Sequence, residues 1–232
     1  MMVVRSLSRD GPAAAGLWSG HASMSGRKDP TPPSADDGAT AVDSCIAECP
    51  PDPCGKDAIA NVTECCGSEI FAAAKKANGG KDPKIVFGKP SSGFDAETDT
   101  TTGTITVNSG LSQCTATEKV YFELANLSNK PAFDKVDGEV AAGNLSREDY
   151  AIASEQIEYD SLTKTLAAID KCKKQWGCAS HPFDFDGFRP AKGFGDYYKN
   201  YLRESHKDYY RNFWDSGYKA AYDAKHPTPP GK

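Results

Sequence analysis

Eight cysteines in 232 residues constrain this chain more than any other feature. They fall in three groups: Cys45, Cys49, Cys54, Cys65 and Cys66; then Cys114; then Cys172 and Cys178. The number is even, and C-x3-C-x4-C followed by an adjacent pair is not a zinc-finger spacing. Disulfides fit better, and they form in oxidising compartments. Cys172 and Cys178 enclose five residues and are expected to close a local loop. Cys65 and Cys66 are adjacent and are expected to take different partners. The start, MMVVRSLSRDGPAAAGLW, has only a brief apolar stretch before Arg5, so it is a poor secretory signal. Two expectations reconcile these features. Either the protein is secreted or delivered to the periplasm or the outside without a standard signal peptide, or the chain is part of a larger protein.

Composition narrows the function. The net charge is -5, and a general nucleic-acid binder needs basic density to release counterions, so no nucleic acid is expected as a partner. No apolar run approaches the length of a membrane span. Hydrophobic residues make up 38%, which is low enough that part of the chain is expected to contribute nothing to a core.

The pattern along the chain divides it. Residues 1–43 are rich in Gly, Ala, Ser, Pro and Asp and read as a disordered leader or linker. Residues 44–226 read as a single cysteine-containing α+β domain, mainly helical, with a core over 84–171. Its first segment, 44–78, is helical in its second half, where Ile59, Val62, Cys66, Ile70 and Ala73 recur at helical spacing, and Gly79-Gly80 stops it. KIVFG and TGTITVN read as a β-hairpin or two neighbouring strands, with Ile105 and Val107 on one face and a long polar loop, 90–103, between them. A helix is predicted over 115–129, opened by a Thr115/Glu118 capping box and closed at Pro131. The longest helix is predicted over 146–171, with Ile152, Tyr159, Leu162, Leu166 and Ile169 as its apolar stripe. The segment 194–226 is strongly aromatic and reads as one or two C-terminal helices, with 227–232 a flexible tail.

Glu123 is the first candidate for chemistry. It lies in FELAN, Phe122 to Asn126, among apolar neighbours. Two readings stand side by side: a solvated helix residue paired with Lys119 four residues earlier, or a carboxylate placed to work. The frame has the outline of HExxH, in which two histidines on one helix face bind zinc and the glutamate polarises the attacking water. A strand precedes this helix and a Glu-bearing helix follows it. On these grounds the segment 93–170 resembles the zincin-like metallopeptidase domains of bacterial polymorphic toxins and secreted effectors. The resemblance implies a zincin-like core, a hydrolase acting on protein or cell-wall substrate, and Glu123 as general base, with Glu155 or Glu158 matching the third metal ligand. It implies zinc as the cofactor, although Phe122 and Asn126 stand where the two histidines would be. As partners it implies a cognate immunity protein or a component of the secretion machine.

The same residues allow other chemistries. Glu155 and Glu158 share a helix face, and beside Glu123 they would form a carboxylate pair of the kind that hydrolyses cell-wall glycan without metal. Alternatively they are solvated helix charges. A non-catalytic binding or adaptor domain with a degenerate metallopeptidase-like fold is the other possibility. Outside this segment, His181 near Asp184 in HPFDFDGF is a further candidate acid–base or metal cluster, set against an ordinary loop histidine. His206, in the tyrosine-rich tail, reads as structural.

Overall fold

The computed structural model describes residues 57–90 and 94–227. The predicted leader, Cys45, Cys49, Cys54, residues 91–93 of the polar loop and 228–232 of the tail lie outside the described residues.

Two short helices come first among the described residues, α1 (Ala58–Thr63) and α2 (Ser68–Ala77). The Asp57 carboxylate caps α1, accepting from the Ile59 amide at 2.8 Å. The helical spacing runs across both, but the backbone breaks at Gly67, whose φ of 98° is left-handed. A Cβ there would sit 2.9 Å from the Tyr121 ring, so close packing as well as conformation requires glycine.

The sheet has three strands, β1 (Lys84–Gly88), β2 (Ala96–Asp99) and β3 (Thr104–Asn108), in the order β1-β3-β2. The predicted hairpin is corrected. β1 and β3 are neighbours, but parallel, and the antiparallel partner of β3 is β2, which lies within the stretch read as a polar loop. A turn stabilised by Asp99, which accepts from the Thr101 amide at 2.9 Å, returns β2 onto β3. Ile105 and Val107 are fully buried on one face of β3, as their alternation predicts.

The central helix is α3 (Gln113–Ser128), which packs against α1, α2, the sheet and α5. Its cap is Ser112, not Thr115: the Ser112 hydroxyl accepts from the Thr115 amide at 3.2 Å. Glu118 therefore makes no capping box. Buried within the domain, it accepts instead from the backbone amides of Phe185 (2.9 Å) and Asp184 (3.3 Å). α3 ends at Ser128, one residue from the predicted end, but Pro131 does not end the helical structure. It lies in the first turn of a further helix, α4 (Lys130–Ala141), where the missing amide proton costs nothing.

The longest helix, α5 (Arg147–Cys172), is capped by Ser146 as expected, with the Asp149 amide donating at 3.2 Å. Its stripe is rotated from the predicted one at the start: Ile152 is 37% exposed, while Ala151 and Ile157 are buried. A 3-10 turn (Asp184–Phe188) follows, then α6 (Phe194–Asp196) continuing into a π-turn (Tyr197–Tyr201), and finally α7 (Glu204–Gly217) and α8 (Lys219–Lys225). α7 packs along α5. No helix among the described residues is long and apolar enough to cross a membrane.

Two disulfides with both halves among the described residues staple this arrangement, Cys66–Cys172 and Cys114–Cys178. They overturn the expected Cys172–Cys178 loop. Each half of that pair reaches back to a different helical segment, so the end of α5 is tied to both the α1–α2 turn and the start of α3. Both disulfides fit an oxidising compartment. Cys65 is disulfide-bonded too. Between the two bridges lies Trp176, fully buried, whose indole N–H donates to the carbonyls of Cys66 (2.9 Å) and Asn61 (3.1 Å).

Candidate functional site

Three helices and one strand converge on a single cluster of titratable groups. α3 carries Glu123 towards β2, where the Thr98 hydroxyl donates to its Oε2 at 2.6 Å. Asn126, one turn along α3, donates to the same oxygen from Nδ2 at 3.4 Å. Glu155 and Glu158 occupy successive positions on one face of α5. The facing helix, α7, carries His206 and Tyr210 one turn apart. The imidazole lies between the two α5 carboxylates, with Nδ1 2.6 Å from Glu155 Oε1 and Nε2 3.6 Å from Glu158 Oε2. The Tyr210 hydroxyl donates to the other Glu158 oxygen. Phe94 covers His206, with ring centroids 5.5 Å apart.

This cluster borders a cleft of about 1420 Å³. Glu123, Asn126, Glu158, His206 and Tyr210 all line it. Glu155 stands behind them, fully buried. The walls are aromatic on the α5–α7 side, including Tyr209, Phe213 and Tyr218, and hydroxyl-rich along β2 and its turn.

The solvated reading of Glu123 does not hold, because the residue is only 7% exposed. Lys119, its proposed partner, is drawn away to Asp184 at 3.0 Å and Glu118 at 3.5 Å. Nor is Glu155 a wet helix charge. Burial sets the electrostatics. Desolvation raises the Glu123 pKa from 4.5 to about 7, against the lowering effect of the Thr98 and Asn126 hydrogen bonds, and the Glu158 carboxylate adds to the rise. Desolvation also raises Glu158 to about 7, with His206 opposing and Glu155 reinforcing it. For His206, burial works against the imidazolium, but the carboxylates of Glu158 and Glu155, with Glu123 beyond them, override it and lift the pKa to about 9. Desolvation pushes the Tyr210 hydroxyl well above its ordinary value, so it remains a donor.

His181 and Asp184 do not join this cluster. His181 Nε2 lies 3.1 Å from the Thr115 hydroxyl and the ring meets Phe183 edge-on, while Asp184 pairs with Lys119. Together with Glu118 they fasten the 183–188 loop to α3.

The zinc ligands of an HExxH helix do not fit at FELAN. The Phe122 ring packs against Phe185 at 4.9 Å and offers no lone pair. Asn126 turns its donor, Nδ2, to Glu123, and its carbonyl oxygen is buried without a hydrogen-bond partner among the described residues.

His206, Tyr210 and Thr98 are the site residues that sequence reasoning missed. One signal was present: His206 and Tyr210 are four apart, on a helix face otherwise occupied by aromatic rings, where an imidazole needs a polar partner. No protein-family model, no curated protein and no solved structure matches the chain.

Proposed function

We propose that this chain is a hydrolase domain of the kind bacteria secrete or deliver as toxin-like effectors, with Glu123 as its proton-accepting carboxylate and Glu158 as the second carboxylate. The observation that carries this is the burial of Glu123 at the edge of an open cleft that Glu158, His206 and Tyr210 also line. Placing a carboxylate there costs stability, which a solvated helix residue would not. A group that accepts a proton near neutral pH is suited to general base catalysis. The order of elements supports the zincin-like reading in part: β3, then α3 carrying FELAN, then, beyond an intervening α4, α5 carrying the glutamates.

Aromatic and hydroxyl-lined walls suit a cell-wall glycan, since sugar rings stack on aromatic faces and hydrogen-bond to hydroxyls. A protein chain is the alternative substrate. The disulfides support an extracellular or periplasmic site of action, and a cognate immunity protein would then cover the cleft in the producing cell.

The test uses the oxidised protein with peptidoglycan and with an unfolded protein. New reducing ends report glycan cleavage and new amino groups report peptide cleavage. Wild type is expected to release one of these at a rate about 100-fold or more above E123Q, the scale of a lost general base. Equal rates for the two proteins would contradict the proposal. A non-catalytic binding or adaptor domain is the second reading. It is favoured by Phe122, whose packed ring occupies the place of a metal ligand.

A further inference from the structure

Among the described residues, one group of three side chains has the spacing to hold a metal ion: Glu155, Glu158 and His206. Each offers a ligand atom, and these atoms lie within 4.8 Å of one another. Acidic clusters often have this spacing without binding anything, so proximity alone decides nothing. The second observation is Glu155 Oε2. Glu155 is fully buried, its Oε1 faces His206, and its Oε2 has no hydrogen-bond partner among the described residues. The two oxygens of one carboxylate sit side by side, so the orphan atom belongs to the same cluster. A buried carboxylate oxygen left without a donor needs an explanation, and a bound cation would supply one.

We propose that Glu155, Glu158 and His206 bind a divalent transition cation of the zinc type. Two carboxylates and one imidazole make a mixed oxygen–nitrogen set, which suits zinc and its first-row neighbours better than magnesium or calcium. His206 is suited to the role because one of its ring nitrogens lies within 4.8 Å of a ligand oxygen of each carboxylate. The cation would displace the imidazole proton and give the orphan oxygen a partner. Glu158 and His206 line the cleft and Glu155 closes the site from behind. Three protein ligands with further positions open to a cleft is the pattern of a catalytic rather than a purely structural site. This set differs from the HExxH pattern, since its nitrogen comes from α7 and neither Phe122 nor Asn126 contributes. With the cation bound, Glu158 would be held as a carboxylate, and Glu123 would be the remaining cleft carboxylate able to take up a proton.

The test is calorimetric titration of chelator-treated, oxidised full-length protein with zinc chloride, with thermal unfolding followed in parallel. One equivalent is expected to bind to wild type and to raise the unfolding temperature. E155Q and H206Q, which keep side-chain volume, are expected to weaken that equivalent by at least about 10-fold, and magnesium chloride is expected to bind far more weakly. Should either variant fail to fold, E158Q, at a part-exposed position, provides the same comparison. Absence of zinc binding by wild type overturns the site. So does zinc that binds equally well to folded E155Q, H206Q and E158Q, which would place it elsewhere. The site is that of the proposed hydrolase, but binding is read without turnover. Wild type that binds zinc and hydrolyses nothing would keep the cation site and remove the hydrolase. Hydrolysis that is lost in E123Q without any zinc binding would do the reverse.

Discussion

The Thr98 hydroxyl donates to Glu123 Oε2 at 2.6 Å, joining the edge strand β2 to the central helix α3. This contact works against burial by favouring the ionised carboxyl. T98V keeps the shape and removes the donor. The Glu123 pKa is expected to climb further above its ordinary range, followed as the side-chain carboxyl 13C shift against pH. A hydrogen bond to a charged group is worth about 1.5–3 kcal/mol. T98V is therefore expected to lose stability of that order above neutral pH and less in acid, where the wild-type carboxyl is already protonated.

Stability should depend on pH through Glu123 itself. Its folded pKa is raised from 4.5 to about 7, so between these values the native state holds a proton that the unfolded chain has lost. Linkage then requires its contribution to be fully present below pH 4.5, to decline as pH rises, and to be gone once pH passes about 7. The loss is on the order of 3 kcal/mol. E123Q cannot ionise, so its unfolding temperature should fall less between pH 4.5 and 7 than that of wild type. Parallel profiles would show that Glu123 titrates as an ordinary exposed carboxyl.

The disulfide pairing is directly checkable. Proteolysis without reductant should yield linked peptides containing Cys66–Cys172 and Cys114–Cys178. A peptide closed by Cys172 and Cys178 would contradict it. Because the first bridge joins residues 106 apart, C66A/C172A should cost about 2–5 kcal/mol in chemical denaturation.

Two aliphatic residues should respond oppositely to truncation. Leu124 is fully buried on α3, so L124A should cost about 2–5 kcal/mol. Ile152 is 37% exposed on α5, so I152A should stay within about 0.5 kcal/mol. The comparison tests the rotation of α5 that separates it from the predicted apolar stripe.

What the sequence made legible was local. Ser146 and Asp149 are three residues apart, so the cap of α5 follows from spacing alone, and Ile105 and Val107 declare the buried face of β3 by alternation. Mainly helical α+β character with a small sheet and disulfides was legible on the same basis. What depends on distant pairing was not. β2 is strand only because β3 lies beside it, and AETD alone carries no strand signal. Cys172 and Cys178 are near in sequence, yet their partners approach from the α1–α2 turn and the start of α3. At the site, Glu123 was visible as an acid in an apolar run, and Glu155 with Glu158 as a helical pair. That they share one site depends on how α5 crosses α3. His206 stayed hidden because its partners lie on α5, 51 residues away at Glu155, and no local pattern encodes the packing of α7 along that helix.

The most direct measurement follows the growth of bacteria that make wild type or E123Q in the periplasm, at matched levels of oxidised, folded protein. Growth arrest by wild type and normal growth with E123Q is the predicted result. Equal growth in both, or equal arrest in both, would contradict a catalytic role for Glu123.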